Sequence, residues 1–301
     1  MLLIAGLLGV AVLGSVVAFD LLPQAEEEAP GDGIDGPGDP ILPLDQIIAG
    51  SDAAEALTGG DGHDQINGYD GADSISGAAG DDDLHGGAGA DLLEGGTGAD
   101  SLHGGDDDDL LRGGEGDDDL AGDMEDDALS GGAGDDTLWG GSGADRLAGE
   151  DGDDALHGGL GDDTLTGGTG ADTLFGGDGD DVLDGREADA PEADFLNGGD
   201  GADTIHAGGG DWVTGGFGAD LVTLTAGAGG TAVHLVDFDP AEDRIALVCD
   251  PALTGPDPQV TLEDEADATA ILLDGVPVAL LEGVSGLSPA DIVLLMDEGA
   301  A

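Results

Sequence analysis

The sequence predicts an all-β protein, a parallel β-roll (right-handed β-helix of short repeats) with a β-rich C-terminal cap and an apolar N-terminal helix. Three observations lead to this fold class. Large apolar residues recur every nine positions over more than a third of the chain, and an aspartate stands two residues before nearly all of them. Glycine supplies 62 of the 301 residues. A constant short period is typical of solenoids, in which each repeat packs only against its neighbours.

The composition limits the classes of partner. The chain carries 69 acidic residues against four basic ones, all arginine, for a formal charge of −65. Nucleic acids and anionic membrane surfaces are recognised mainly through Lys and Arg, so nucleic acid is excluded as a partner and binding to an anionic membrane surface is disfavoured. Such charge with 3% aromatic residues is also typical of disordered chains, and only the strict period argues against disorder. The single Cys249 offers no internal disulfide.

The first 50 residues divide into two segments. Residues 1–22 include the unbroken apolar run Met1 to Phe19, which is either a cleaved secretory signal or an uncleaved membrane anchor. Val16 and Ala18 suit a cleavage site, whereas the missing basic residues favour the anchor slightly. Residues 23–50 are rich in Pro, Gly and acids, which is typical of a flexible linker. That segment is too short for a catalytic domain.

The repeat region is predicted to occupy residues 51–222. Its register is unbroken from Leu57 to Leu183, then a four-residue insertion intervenes and the period resumes at Leu196. The periodic apolar residues are Leu57, Ile66, Ile75, Leu84, Leu93, Leu102, Leu111, Leu120, Leu129, Leu138, Leu147, Leu156, Leu165, Leu174, Leu183, Leu196, Ile205, Val213 and Val222.

The residues between the apolar positions suit a metal-binding turn. A six-residue turn with three glycines can reach positive φ without steric cost, so its carbonyl groups can converge on one point. Hard cations such as Ca²⁺ prefer six or more oxygen ligands, and the closing aspartate adds a charged one. The next three residues form a minimal strand with one inward apolar side chain. Two turns and two strands then make a coil of 18 residues.

Segments such as GGTGADSLH, GGAGDDTLW and GGDGDDVLD resemble the RTX (repeats-in-toxin) calcium-binding nonapeptide family. The resemblance implies that Ca²⁺ ions lie between adjacent coils, held by aspartate side chains and turn carbonyls. Two columns of seven aspartates from residue 64 to residue 181 leave space for about a dozen ions. The predicted metal ligands are Asp64, Asp73, Asp82, Asp91, Asp100, Asp109, Asp118, Asp127, Asp136, Asp145, Asp154, Asp163, Asp172, Asp181, Asp203 and Asp220.

Two turns depart from this pattern. GDMEDD at Gly122 and GGDDDD at Gly104 carry bulkier residues where the repeat has glycine, so we expect them to bind calcium weakly or not at all. Elsewhere, burial of one Leu layer per half-coil is too small to offset the entropy of ordering a glycine-rich chain. Metal binding and folding are therefore expected to be one event.

The remaining residues predict a cap and a featureless outer face. Residues 223–301 contain β-like apolar runs that suit a cap, and VDFDPAEDRIAL resembles the segment that follows the repeats in RTX proteins, where a secretion signal lies. SPADIVLLM opens with a helix-start signal. The histidines at 85, 103 and 157 share one outer face with Trp139 and Phe175. They are interpreted as outward filler in preference to a transition-metal stripe.

The predicted function is calcium binding by a secreted or surface-tethered bacterial-type repeat protein that folds where calcium is plentiful. No catalytic Ser-His-Asp or Cys-His arrangement is visible, and the repeat accounts for the aspartates, so the chain is predicted not to be an enzyme. The alternatives are an adhesin or ice-binding roll, a non-catalytic relative of RTX toxins or hydrolases, and a disordered polyanion. The sequence identifies no protein or polysaccharide partner.

Overall fold

The computed structural model describes residues 45–187, 192–226, 231–249, 257–264 and 267–296. The predicted N-terminal helix, in residues 1–22, lies outside the described residues. So do most of the linker predicted for residues 23–50 and part of the insertion after Leu183. Among the residues that the structure describes, no helix is long and apolar enough to span a membrane.

The described residues form 26 strands, a single 3-10 helix (η1) and no α-helix. The elements are β1 (Ile47–Ala49), β2 (Ala56–Asp61), β3 (Gln65–Asp70), β4 (Ser74–Ala79), β5 (Asp83–Ala88), β6 (Leu92–Thr97), β7 (Ser101–Asp106), β8 (Leu110–Glu115), β9 (Asp119–Met124), β10 (Ala128–Ala133), β11 (Thr137–Ser142), β12 (Arg146–Asp151), β13 (Ala155–Leu160), β14 (Thr164–Thr169), β15 (Thr173–Asp178), β16 (Val182–Gly185), β17 (Phe195–Asp200), β18 (Thr204–Ala207), β19 (Trp212–Phe217), β20 (Leu221–Ala226), β21 (Val233–Leu235), β22 (Arg244–Cys249), β23 (Val260–Asp264), β24 (Ala268–Leu273), β25 (Val276–Glu282), η1 (Pro289–Asp291) and β26 (Ile292–Met296).

The strands alternate between two sheets. Odd-numbered strands from β1 to β21 lie side by side in a 14-stranded sheet, and even-numbered strands from β2 to β22 lie in a 12-stranded sheet. Pairing is parallel with a register of 18 residues, as for Leu138 with Leu156 in β11 and β13. The result is a parallel β-solenoid of about ten turns, which confirms the predicted all-β roll. Strand β1, within the range assigned to the linker, already pairs with β3.

Most strands are six residues long, twice the predicted three. Pairing continues past the apolar position through the two glycines that open the next turn, as for Gly141 with Gly159. The second of these glycines takes a positive φ, +115° at Gly141, which bends the chain without ending the ladder of hydrogen bonds. The corner of each coil is thus made by residues that still belong to the sheet.

The core is one column of aliphatic side chains between the two sheets. Each periodic residue from Leu57 to Val222 is almost fully buried. The column continues into the cap through residues such as Leu235 and Ile245. Because one large side chain per half-coil is all that the interior holds, the apolar contribution to stability is about 1.5–3 kcal/mol for each nine-residue repeat.

The C-terminal residues cover one end of the roll. Strands β23, β24 and β25 form an antiparallel meander whose last strand pairs with β21, and β26 pairs with β22. The helix-start signal of SPADIVLLM produces only the single turn η1, with Ser288 before it and Asp291 closing the capping box. This β-rich arrangement agrees with the predicted cap.

Candidate metal centre

Two ladders of buried aspartates run along the roll, one at the start of the strands of each sheet. The first ladder contains Asp64, Asp82, Asp100, Asp118, Asp136, Asp154, Asp172, Asp194 and Asp211, and the second contains Asp73, Asp91, Asp109, Asp127, Asp145, Asp163, Asp181, Asp203, Asp220 and Asp243. All sixteen predicted ligands lie in these ladders, and all are at most 4% exposed. Carboxylates this deeply buried require a compensating partner.

One oxygen of each carboxylate has such a partner in the next coil. Oδ1 of Asp136 accepts a hydrogen bond of 2.8 Å from the backbone N–H of Asp118. The N–H of Asp136 in turn donates to Oδ1 of Asp154 at 2.8 Å. The same contact repeats along both ladders, so each aspartate fixes the position of its neighbour one coil away. This contact holds the carboxylates in register but satisfies only half of each group.

The second oxygen, Oδ2, has no hydrogen-bond partner although it is buried. This holds within the described residues for Asp64, Asp73, Asp82, Asp91, Asp100, Asp109, Asp118, Asp127, Asp136, Asp145, Asp154, Asp163, Asp172, Asp181, Asp194, Asp203 and Asp220. A buried acceptor without a partner is costly, and native proteins rarely contain more than a few. Seventeen of one kind at equivalent positions indicate that something other than the protein satisfies them.

A backbone carbonyl from the next coil approaches the same point. A Cβ added at Gly95 would lie 2.4 Å from Oδ2 of Asp100 and 2.8 Å from the carbonyl oxygen of Gly113. The first glycine of each turn is therefore required by close approach to a carboxylate. Its φ is not in the left-handed region, unlike that of the second and third glycines. Carboxylate and carbonyl oxygens meet where a side chain would otherwise stand.

This donor set fits a calcium ion. No three His, Cys, Asp or Glu side chains converge on one point in the part of the chain that the structure describes. A cation at the ladder must therefore be held by carboxylate Oδ2 atoms together with turn carbonyls, all of which are hard oxygen donors. Ca²⁺ accepts such mixed and irregular oxygen sets, whereas Mg²⁺ demands a strict octahedron and retains its waters.

The metal-free ladder resists ionisation. Burial is the main cause that raises the pKa of Asp136 to about 7. The hydrogen bond from the Asp118 backbone opposes this rise, and the charge of the Asp118 side chain adds to it. Asp194, with Asp211 and Asp172 nearby, has its pKa raised to about 8, again mainly by burial. A bound cation would favour the charged form of every one of these groups.

The raised pKa values predict that acid stabilises the metal-free fold. For Asp136 the stabilisation is complete below the ordinary pKa of 3.8 and is lost as pH rises through about 7. Metal-free protein should thus show more β signal by circular dichroism at pH 5 than at pH 8. Calcium requires deprotonated carboxylates, so the calcium midpoint should fall as pH rises over the same range. A metal-free spectrum independent of pH would contradict the prediction.

Two aspartates of the ladders, Asp194 and Asp211, are absent from the sixteen predicted ligands, and of the two only Asp194 has an unpartnered Oδ2. Asp194 precedes the buried Leu196 by two residues and has the same orphaned Oδ2 as the predicted ligands. Asp211 precedes Val213 by two residues and is fully buried. The signal was present in the sequence, because the period resumes at both apolar residues, although Asp194 follows Asp172 by 22 residues and Asp211 follows Asp194 by 17 where the regular spacing is 18.

Three of the four ladder ends are carboxylates that the protein itself satisfies. Oδ2 of Asp211 accepts from the N–H of Gly208 at 2.6 Å, and Oδ2 of Asp243 accepts from the N–H of Asp239 at 2.7 Å. At the other end of the second ladder, Glu55 takes the place of the aspartate and accepts from both the N–H and the hydroxyl of Ser51. The fourth end differs, because the first ladder begins at Asp64, whose Oδ2 is orphaned.

The two irregular turns keep the geometry of the regular ones. Asp109 and Asp127, which close them, are buried, and the N–H of Asp109 donates to Oδ1 of Asp127 at 2.8 Å. The backbone of these two turns is strained, because Asp107 and Glu125 take positive φ angles of +77° and +70° at positions that are glycine in regular turns. The expected weak binding at these turns stays a prediction, now attributable to strain and not to misplaced ligands.

Relief of that strain should stabilise the protein. We expect Asp107→Gly to stabilise the calcium-loaded fold by about 1 kcal/mol net, after allowance for the greater freedom of glycine in the unfolded chain. The shift in thermal midpoint should be roughly 2–4 °C. The matched control is Asp106→Gly, which removes the same charge at a residue without positive φ and should bring no gain. An equal rise in both variants would attribute the effect to charge alone.

The histidines stand on the outer face of the 14-stranded sheet, as predicted. His85 and His103 stack with ring centroids 4.9 Å apart, and His157 stacks between Trp139 at 4.0 Å and Phe175 at 5.0 Å. Burial lowers the pKa of His157. The rings are oriented for stacking along the roll axis.

Comparison with known proteins agrees with this geometry. The family described as RTX calcium-binding nonapeptide repeat (4 copies) matches residues 49–84, 58–93, 85–120, 121–156, 157–189 and 191–222. No curated protein matches the chain significantly. Among solved structures, extracellular lipase LipA from Serratia marcescens is 19% identical with a TM-score of 0.20, over 84% of this chain and 40% of the lipase.

A second solved structure is a subunit of the mannuronan C5-epimerase from Azotobacter vinelandii. It is 26% identical with a TM-score of 0.17, over 63% of this chain and 84% of that subunit. The present chain spans less than half the length of the lipase. The RTX matches confirm the resemblance of the repeats, and these repeats imply calcium binding. Because the matches extend over more than half of the 301 residues, the chain belongs to the RTX calcium-binding nonapeptide repeat family.

Proposed function

We propose that the protein binds calcium ions along both aspartate ladders and folds on binding them, outside the cytoplasm. The observation that carries the proposal is the row of buried Oδ2 atoms without partners, most of which lie beside a carbonyl oxygen of the next coil. Asp194 joins the sixteen predicted ligands on the same ground. The ions supply positive charge, and the residues of the chain supply position and oxygen ligands.

Electrostatics supports the coupling of binding to folding. The folded roll brings like-charged carboxylates together at the spacing of adjacent strands, about 4.8 Å. Without cations these groups must either take up protons or repel one another across a buried ladder. In the unfolded chain the same residues are solvated and far apart. Binding energy at the ladders is therefore folding energy.

An extracellular or cell-surface location follows from the same requirement. A chain whose fold depends on calcium gains stability where the free ion is abundant, in proportion to the logarithm of its concentration. The apolar run Met1 to Phe19 suits either an export signal or an anchor. We therefore propose a secreted or surface-tethered protein with the roll on the outer side.

The proposed role is non-catalytic. The buried carboxylates of the roll belong to the ladders, and the exposed acids follow the repeat positions of the turns. An ice-binding roll would present a regular array of outward threonines, but the outward positions of β6, β8, β10 and β12 hold Leu, Glu, Arg, Ala and Ser. Calcium binding accounts for the repeated geometry of the buried carboxylates in successive coils.

The number of bound ions tests the proposal. Equilibrium dialysis against calcium, with the metal measured by atomic emission, should give roughly one ion for each orphaned carboxylate oxygen, between a dozen and seventeen per chain. Asp194→Ala should lower the number by one or two, whereas Asp200→Ala, an exposed acid on the neighbouring β17, should leave it unchanged. A stoichiometry of only a few ions, or equal effects of the two variants, would reject binding along the full ladders.

A further inference from the structure

The outer face of the 14-stranded sheet carries several stacks of rings, and two of them lie close together. One is the pair His85 and His103. The other begins at Trp139 and continues through His157 and Phe175. Within each stack the planes are within 10° of parallel, and His157, which lies between Trp139 and Phe175, has both faces covered by its neighbours. Only the rings at the ends of a stack keep an open face.

The two stacks are interrupted by one strand. Ala121 of β9 pairs with His103 on one side and with Trp139 on the other. Alanine is smaller than the side chains at the paired positions of the neighbouring strands. The open ring faces of His103 and Trp139 therefore face each other across Ala121. Trp139 is 49% exposed, and the His103 side chain is 44% exposed. The arrangement is a slot with two ring walls and a methyl floor.

The slot has the width of a single planar group. Its walls belong to strands two places apart, so they stand about 9.5 Å from each other. A flat group midway would lie about 4.8 Å from each ring, which matches the 4.9 Å separation between His85 and His103. A planar group bound in the slot would therefore join the two stacks into one.

Carboxylates stand at both ends of the slot floor. Asp119 lies two residues before Ala121 on the same outer face and is exposed. Asp123 lies two residues after it, and its Oδ2 reaches to 3.8 Å from Nδ1 of His103. Asp123 occupies a position that is glycine in regular turns, and it takes a φ of +80°. The irregular turn thus adds an acidic group to the outer face at the point where the ring stack is open.

We infer that this slot, formed by His103, Ala121, Trp139, Asp119 and Asp123, binds a planar cation, the guanidinium group of an arginine side chain on a protein partner. A guanidinium stacks flat on an indole face and forms paired hydrogen bonds with a carboxylate, whereas an ammonium does neither. The formal charge of −65 favours a cationic partner over an anionic one or a second copy of this chain.

The test uses the full-length, calcium-loaded chain with Trp212→Phe, so that tryptophan emission reports Trp139 alone. A blocked Gly-Arg-Gly peptide should change this emission saturably, at a concentration roughly tenfold lower than the matching Gly-Lys-Gly peptide. Asp123→Asn should weaken the arginine response. Equal responses to the two peptides would overturn the inference, because non-specific attraction to an acidic surface cannot distinguish them.

A filled slot provides the decisive control. Ala121→Leu places a side chain between the two rings without a change of charge and should abolish the preference for arginine. Ala148→Leu makes the same substitution on the other sheet, between Ser130 and Thr166, and should leave it intact. Circular dichroism in calcium checks that both variants fold. If Ala121→Leu folds and still prefers the arginine peptide, the slot is not the site, whatever the outcome for the calcium ladders.

Discussion

Removal of calcium should unfold the repeat region almost completely near neutral pH. Seventeen carboxylate oxygens are buried without a partner in the described residues. Leaving one such acceptor unsatisfied costs about 1–3 kcal/mol. Even the lower figure, summed over the ladders, exceeds the 5–15 kcal/mol by which domains are normally stable. The single column of Leu, Ile and Val side chains cannot offset this cost, since each also requires nine residues to be ordered.

The expected signature is a cooperative transition. Chelation should remove the far-UV β signal and expand the chain, and millimolar calcium should restore both. Magnesium at the same concentration should restore little, because it gives up its waters reluctantly. High sodium chloride is the control for simple screening of the negative charge. If salt alone compacts the chain as calcium does, or if chelated protein keeps its hydrodynamic radius at neutral pH, the ladders are not the source of stability.

Much of the roll could be predicted from the sequence because one period determines it. A nine-residue spacing between buried residues such as Leu84 and Leu93 requires a half-coil per repeat and fixes the parallel register. The sixteen ligand candidates follow from the same register, two residues before sixteen of the nineteen periodic apolar residues. The length of the strands was wrong by a factor of two, because spacing does not reveal that main-chain pairing continues through paired glycines such as Gly140 and Gly141.

Other features depend on contacts that the repeat does not encode. The two oxygens of each carboxylate differ, since Oδ1 accepts a hydrogen bond from a backbone N–H and Oδ2 has no partner. This difference is seen only when adjacent coils are placed together. The two satisfied ends of the second ladder, Glu55 and Asp243, lie in segments that do not follow the nonapeptide pattern. The slot over Ala121 depends on which residues occupy a variable position in three successive strands of one sheet.

Adjacent aspartates of one turn should differ sharply in their effect on calcium binding. Asp136 is 1% exposed, its Oδ1 accepts from the buried N–H of Asp118 at 2.8 Å, and its Oδ2 is orphaned. Asp136→Ala removes a ligand and leaves that N–H without an acceptor, a loss of about 1–3 kcal/mol before any metal is counted. We expect the calcium midpoint to rise several-fold and the bound metal to fall by one or two ions.

Asp135→Ala removes the same charge one residue away and should do little. Its side chain is exposed, and its Oδ1 accepts from the N–H of Asp153 at 3.0 Å, a surface hydrogen bond that water can replace. Alanine already occupies the equivalent position in GGTGADSLH, at Ala99. A polyanion that binds calcium through charge density alone cannot distinguish the two positions. Parallel calcium titrations of the two variants therefore distinguish binding by specific ladder aspartates from binding through overall negative charge. Equal midpoints would reject site-specific binding at the ladder.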